Sequence, residues 1–575
     1  MFLEKRFKII LFSLSFLFLI SPSFAFADYI NQKVVFFVDS TYDASGRSQV
    51  STTLKKITSQ LYFYIDDSWW DSLNSDKQNV VDTALSSLAN EFNYTIYPLL
   101  TSNFGQEPKP GIDKDKRITI LIHPMIEEAG GYFNSGDGYS KLQNPRSNER
   151  EMVYLNSQQI DKSYTKSLLA HEFMHLITFN QKDILRGITE ETWLNEARAD
   201  YTSTFLGYDD PYDGSNLQKR VKNFLDRSYD SLTEWQNKPF DYGVINLFTQ
   251  YLVDHYGVKI LVDSLQSSKV GIPSINEALS KNGYSEDFSQ IFTDWTIAVF
   301  VNDCQISENY CFKNKSLNNF HVIPSGNFLP LAGKSTLTVT QTTKNWSGNW
   351  YKFVGGWDTL KIKFSGDPKN LFKVPYITQD SFGNWQVAFF ELNKDQHGEI
   401  LIPEFRTKII SITIIPSIQT KISGFDNSEP SFSFSWTASV GEKTAEEEEV
   451  ELVKNLQAQI EELKKQIAEV QAKISAILAK KELSSFSCRK LENNLYYGMM
   501  ENSEVRCLQE FLKIQGPEIY PEGLITGNFL SLTQVALIRF QEKYSDEILK
   551  PLNLEKGTGY VGQMTRAKIN ELLGK

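Results

Sequence analysis

Leu168-Leu169-Ala170-His171-Glu172-Phe173-Met174-His175-Leu176-Ile177 decides how the rest of this chain is read. On a helix His171 and His175, four apart, emerge on one face, where two neutral imidazoles can grip one Zn²⁺. Glu172 stands beside that face, placed to take a proton from a water held there. The apolar neighbours seat the helix in a core and keep the site partly dry. With 6 histidines in 575 residues, fewer than about 0.01 matches to this pattern arise by chance. A second stretch follows, Glu191-Thr192-Trp193-Leu194-Asn195-Glu196-Ala197-Arg198-Ala199-Asp200, with helical character. Alone it would be an ordinary polar helix face. Beside the histidine pair, Glu196 supplies a third metal ligand and leaves the fourth position to water, as a catalytic site requires. Asp200, one turn on, is placed to accept the second ring N–H of a ligand histidine.

Around these motifs, residues 28–305 read as mixed α/β turning largely helical after Asp161. Val34–Val38 and Ile118–Ile122 are short buried strands, and the apolar spacing predicts helices over 50–65 and 77–98. Asp113 and Asp115, interleaved with lysines, make a polar turn rather than a calcium loop. From 306 to 440, short runs rich in Thr, Val, Ile, Phe and Trp alternate with Gly, Asn, Asp and Ser, which predicts a β-sandwich-like domain with no catalytic motif. Within 441–484, Val453, Leu456, Ile460, Leu463, Ile467, Val470, Ile474 and Ile477 recur at spacings of three and four, a coiled-coil seam. It can join copies of the chain into a homo-oligomer or serve as a spacer of about 40 Å. A lone amphipathic helix packed on its own protein is the simpler alternative. Residues 485–575 form a compact C-terminal module.

Lys5, Arg6 and Lys8, the apolar run Ile9–Ile20, Pro22 and Ala25-Phe26-Ala27 compose an export signal cleaved after Ala27. The run is shorter than the roughly 20 apolar residues of a span, and no later segment is long and apolar enough. The mature chain is therefore expected to be secreted or associated with the cell envelope. Four cysteines allow three pairings. The spacing favours 304 with 311 and 488 with 507, against the alternative of four buried thiols. The formal charge is −11, from 59 basic and 70 acidic residues. No stretch forms a basic groove, which argues against nucleic acid as a partner.

The pattern His171-Glu172-x-x-His175 followed by Asn195-Glu196-x-x-x-Asp200 resembles the gluzincins, the thermolysin-like clan of zinc peptidases. The wider text is similar to the hyicolysin-like secreted metallopeptidases through Gly130-Gly131-Tyr132-Phe133, Met152–Asn156 and Thr192–Glu196, over roughly residues 30–305. The resemblance implies His171, His175 and Glu196 as zinc ligands, Glu172 as general base and Asp200 behind the ligands, with protein or peptide substrates. The clan usually adds a Tyr or His that steadies the oxyanion. Leu176–Glu190 holds no tyrosine. Tyr242, ahead of a helix-like stretch, is the candidate, with His255 a weaker second. In the last module, Val505–Leu512, Tyr520–Phe529, Thr533–Gln541 and Gly559–Asn570 resemble the small three-helix peptidoglycan-binding domains. The departures are Leu530, where those domains have glycine, and an insertion around Ser545–Lys556. The resemblance implies peptidoglycan as a partner, with protein docking or simple packing as the alternative. Three functions follow as expectations: an envelope-tethered zinc endopeptidase, a peptidase of peptidoglycan cross-links, or an adhesion protein with an inactive centre. The last would call for a broken ligand or base, and His171, Glu172, His175 and Glu196 are all intact.

Overall fold

A computed structural model describes residues 27–441, 445–481 and 488–574. The export segment up to residue 26 lies outside them. The chain divides into two compact units, Met1–Leu452 and Val453–Lys575.

The first unit opens with a six-stranded sheet in the order β1-β2-β3-β4-β6-β5. Its strands are β1 (Lys33–Phe37), β2 (Gln49–Ile57), β3 (Leu61–Asp66), β4 (Ile118–His123), β5 (Gly131–Phe133) and β6 (Met152–Asn156). β3, β4 and β6 run parallel and every residue in them is buried. Such strands have helices or loops over both faces and read as continuous apolar runs. Residues 50–65 therefore form the β2–β3 hairpin, not the helix that their spacing predicts. Tyr62 and Tyr64 pack on one face with Phe36, Tyr132 and Tyr154, while Leu61, Phe63 and Ile65 join the helical core on the other. With both faces apolar the period of two is invisible in the text. Thr58 shapes the turn by accepting from Leu61 N at 3.0 Å. Helix α1 (Ser75–Glu91) forms as expected, capped by Asn74, which accepts from Lys77 N at 2.9 Å. It continues through a π-helical turn into Tyr97–Phe104.

Four further helices carry the chemistry: α2 (Thr165–Phe179), α3 (Thr192–Phe205), α4 (Asn216–Asp226) and α5 (Pro239–Tyr256). α2 lies against β5 and β6, α3 against α2, and α5 against α3 and α4. While Phe372–Lys373 and Ser417–Ile418 pair in a small separate sheet, nine of the strands between Ser325 and Val440 make one sheet that curls into a nearly closed barrel. Ile409–Ile414 stitches it together, pairing with Pro375–Asp380 and Tyr351–Gly355, and through Ile409 with Phe405. The two sheets of a sandwich are thus a single continuous one. Nor is the β-rich part freestanding. Trp346, Trp350, Ile377 and Ile415 belong to the same core as the helices. Trp346 sits edge-on to Phe288 and Phe292, with ring centroids at 4.9 and 5.3 Å, and Trp350 Nε1 donates to Thr296 O at 2.9 Å.

Among the described residues, the second unit contains most of the long helix Ala445–Lys481 and then the helices Ser503–Ile514, Ser531–Lys543 and Gln563–Leu573, with a one-turn helix, Ser545–Ile548, in the insertion. Leu491, Leu495, Val505, Leu508, Phe511, Phe529, Leu537, Phe540, Val561 and Ile569 form its core. The structure shows an internal repeat that the sequence reading missed. Gln509 accepts from Gly527 N at 2.8 Å and donates to Asn528 O and Thr533 Oγ1 at 3.0 and 2.8 Å. Gln541 repeats this 32 residues on, with Gly559 N at 2.9 Å, Tyr560 O at 2.8 Å and Thr565 Oγ1 at 3.0 Å. Both disulfides follow the favoured pairing, Cys304–Cys311 and Cys488–Cys507.

Candidate metal centre

The centre is built where α3 meets α2, and the far side of α3 explains how it is held there. Arg198 Nη1 donates to the buried Glu190 at 2.7 Å, and Lys182 Nζ lies 3.5 Å from the same carboxylate. Lys182 also donates to the carbonyls of Ser264 and Ser267 at 2.8 and 3.0 Å, and to that of Lys269. Burial alone would raise the Glu190 carboxyl, but Arg198 and then Lys182 outweigh it and hold it below the usual range. With Arg198 anchored on that side, the Asn195–Glu196 side of α3 turns toward α2.

The structure brings His171, His175 and Glu196 together. His171 Nε2 and His175 Nε2 are 3.1 Å apart, and Glu196 carboxylate oxygens lie 3.3 Å from the first and 3.6 Å from the second. Ligand atoms at about 2.0–2.1 Å in a tetrahedral shell sit roughly 3.3–3.4 Å from one another, so this donor set fits a single metal ion. Nothing but a cation or a proton makes such close lone pairs compatible. Behind His175, the amide oxygen of Asn195 lies 3.1 Å from Nδ1. An amide oxygen only accepts, so Nδ1 carries the hydrogen and Nε2 presents its lone pair to the centre.

Burial disfavours charge on His171, but the Glu196 contact and the Glu172 charge outweigh it, holding the imidazolium up to about 9. Burial keeps His175 below the ordinary histidine range. Glu172 is buried among apolar residues of α2, and that desolvation pushes its carboxyl up to about 7, the range suited to accepting and returning a proton near neutrality. Gly131, on edge strand β5, makes room for it. A Cβ there would stand 3.1 Å from Glu172 Cγ and 2.6 Å from Tyr154 O.

Asp200 does not take the place expected behind a histidine, which Asn195 occupies for His175. Its Oδ1 accepts from Arg220 Nε and Nη2 at 2.9 and 2.6 Å and from Asn216 at 3.2 Å, and its Oδ2 from Asn246 at 2.7 Å. These donors come from α4 and α5, so Asp200 ties three helices together and reaches His171 through its charge. Arg220, absent from the sequence reading, also lies over the face of the Tyr242 ring at 4.3 Å. The Tyr242 ring is 6.5 Å from that of His171 and packs edge-on to Trp235 at 4.8 Å. Burial and then the Glu196 charge push its hydroxyl well above the usual tyrosine range. His255 lies about three and a half turns further along α5, where its Nε2 donates to Cys311 O at 2.9 Å. Tyr42 was also missed. It stacks on Tyr132 at 4.9 Å, and Glu196 and Glu172 add to the burial that raises its hydroxyl. No local pattern marks a loop residue whose stacking partner is 90 positions away and whose acidic neighbours Glu172 and Glu196 lie further still.

No protein-family model matches this chain, and no curated protein matches it significantly. Among solved structures, it is similar to the pre-peptidase C-terminal domain of collagenase from Bacillus anthracis, at 11% identity, 20% of this chain, 96% of that one and a TM-score of 0.14. Similar too is the Aeromonas hydrophila PliG, a periplasmic inhibitor of g-type lysozyme, at 11% identity, 20% of this chain, 98% of that one and a TM-score of 0.12. At such scores no inference about activity passes to this chain.

Proposed function

We propose that this protein is an exported zinc endopeptidase that hydrolyses peptide bonds in proteins. The observation that carries it is the set of separations among His171, His175 and Glu196, with Glu172 buried beside them. Those three residues would hold the zinc, which when bound polarises a carbonyl and acidifies water. Glu172 accepts the proton of the attacking water and returns it to the leaving amine. Tyr242 keeps its hydroxyl proton at neutral pH and can donate it in a hydrogen bond to the oxyanion, with Arg220 holding the ring. β5 pairs only with β6 among the described residues, so its outer edge can take an extended substrate backbone.

The second unit is read as the tether. Tyr496 and Tyr560 lie face to face at its surface with centroids 6.4 Å apart, a form suited to stacking on sugar rings of peptidoglycan. Along the helix Ala445–Lys481, seam residues Val453, Leu456, Ile460, Leu463, Ile467 and Val470 are between 47% and 54% exposed. We read that uncovered seam as the contact of a homo-oligomer. Among the described residues no helix is long and apolar enough to cross a membrane.

The test is zinc content and casein cleavage by residues 28–575, beside Glu172→Gln. The expected result is one zinc in each and cleavage by the parent alone. A parent that holds zinc and leaves casein intact directs the assay to peptidoglycan cross-links. A parent without zinc overturns the reading.

A further inference from the structure

The chain enters the first unit through a short turn. Gln32 N donates to Tyr29 O at 2.9 Å, and Asn31 N and Leu54 N exchange bonds with β2 and with Gln32 O, both at 2.9 Å. This docks Asp28 against the sheet. Its carboxylate accepts from Tyr64 Oη at 2.7 Å and Gln32 Nε2 at 2.9 Å, and pairs with Arg150; the side chain is 9% exposed. Its backbone N–H donates to Tyr62 Oη at 3.2 Å. Tyr62 Oη in turn donates to Asp115 Oδ2 at 2.6 Å and accepts from Arg117 Nη1 at 3.1 Å. Asp113 completes the group, accepting from Asp115 N at 2.8 Å. Ala27, the residue before, is exposed.

The charges around this nitrogen do not balance. Asp28, Asp113 and Asp115 face two guanidiniums, Arg117 and Arg150, leaving one negative charge. Lys114 and Lys116 flank the turn but are exposed. Burial, with the charges of Asp115 and Asp28 adding, pushes Asp113 up to about 6, while hydrogen bonds from Arg150 and from Tyr62 outweigh burial and hold Asp28 and Asp115 respectively below the usual carboxylate range. Nearby Glu151, whose Oε2 has no partner, is pushed by burial up to about 7, with the Asp113 charge adding. The site lacks one cation.

We propose that the missing cation is the α-ammonium of Asp28, formed when the Ala27–Asp28 bond is cut, and that the cradle of Tyr62, Asp113 and Asp115 is the docking site for this new N-terminus. The cut is a hydrolysis by a signal peptidase. Water gives its hydroxyl to the Ala27 carbonyl and a proton to the Asp28 nitrogen, which takes a second proton from solvent. The ammonium then donates to Tyr62 Oη where the amide now does, and its charge brings the group to neutrality. Only a chain cut at this bond places an ammonium there; an N-terminus one residue earlier carries it outside the cradle.

The inference rests on the export reading for the cut alone, and the two fail separately. The first measurement is the N-terminal residue of the full chain secreted from a bacterial host, expected to be Asp28. The second compares melting of protein that begins at Asp28 with protein that begins at Ala27 and with N-acetylated Asp28 protein. An unfolded α-amine has a pKa of about 7.7–8.0, and docking against carboxylates raises it. The stabilisation is therefore present at pH 7 and is lost as pH rises through the raised value. The Asp28 protein should melt about 2–4 °C higher at pH 7, and the gap should close by about pH 10. Asp115→Asn should shrink the gap while leaving the fold intact, and Tyr62→Phe serves as a second variant if Asp115→Asn is insoluble. Equal melting at pH 7, or a gap that persists at pH 10, overturns the docking site. A first residue other than Asp28 overturns the proposal as a whole.

Discussion

Replacing Asn195 with alanine separates two residues that a helical reading cannot. The change removes the amide oxygen 3.1 Å from His175 Nδ1 and touches no metal-facing atom. His175 is 7% exposed, so water offers a poor substitute, and the freed imidazole can rotate or swap its tautomer. Outer partners of this kind are worth 10–100-fold in metal affinity, about 1.4–2.7 kcal/mol, against a net hydrogen bond of only about 1 kcal/mol in folding. Asn195→Ala should therefore bind zinc 10–100-fold more weakly and melt close to the parent. Asp200→Asn should do the reverse. It leaves the Arg220 guanidinium, whose side chain is 11% exposed, without its anion, at a cost of about 3 kcal/mol, and keeps the metal within a few-fold. The assay is titration of the zinc-loaded protein with a competing chelator, beside thermal melting of each variant. Should Asp200→Asn lose tenfold or more in affinity while Asn195→Ala keeps it, the histidine would be oriented by Asp200 and this division of roles would be refuted.

Tyr242→Phe removes the only hydroxyl assigned to the oxyanion and should lower kcat about 10²–10³-fold with zinc content unchanged; an unaltered kcat would show that another donor serves. Asp230 sits buried beside Asp241, and burial and then that charge push its carboxyl from 3.8 up to about 8. The folded chain thus holds a proton that the unfolded chain releases near pH 4, so this group costs stability increasingly between about pH 4 and 8. Asp230→Asn should melt above the parent by a margin that widens from pH 5 to 8, and a margin independent of pH would dismiss the pairing. Trp346→Ala opens a cavity under Phe288 and Phe292 and should cost about 3–5 kcal/mol. Because that core spans the helices and the barrel, calorimetry should show both melting in one earlier transition; loss of the barrel alone would contradict a shared core. If the seam joins copies as proposed, the parent should sediment as an oligomer and Ile460→Asp as a monomer with casein cleavage retained; a monomeric parent would dismiss that contact.

The grouping of His171, His175 and Glu196 was legible because its information is local. A four-residue interval puts two histidines on one face whatever surrounds the helix, and Glu196 shares a helix with Asn195, Asp200 and little else that can bind a cation. The hairpin of 50–65 was not legible for the converse reason. Leu61 through Ile65 are all apolar because cores press on both faces of the strand, and a continuous apolar run fits a buried strand and a buried helix equally. The shared core of barrel and helices was hidden too, since Trp346 and Phe292 are 54 positions apart and nothing in either segment names the other.

The pair Asn195 and Asp200 shows where such local reading stops. Both lie on the helix of Glu196, one residue before it and one turn after it, and either carries an oxygen able to accept from an imidazole. What decides between them is the third partner, since a carboxylate takes the strongest donors within reach. Arg220 arrives from α4 with two N–H groups for Asp200, and Asn246 adds a third from α5, so the charge of Asp200 is spent on joining helices. Asn195, uncharged and without a cation to meet, is left for His175. The same guanidinium then lies over Tyr242, so the residue that claims Asp200 also sets the ring of the candidate oxyanion donor. Metal affinity and turnover should accordingly part company in this protein. Changes at Asn195 should register in zinc binding, and changes at Arg220 in kcat, because under the proposed function the helix that carries Arg220 would touch the reaction through Tyr242 and the metal only through the charge of Asp200.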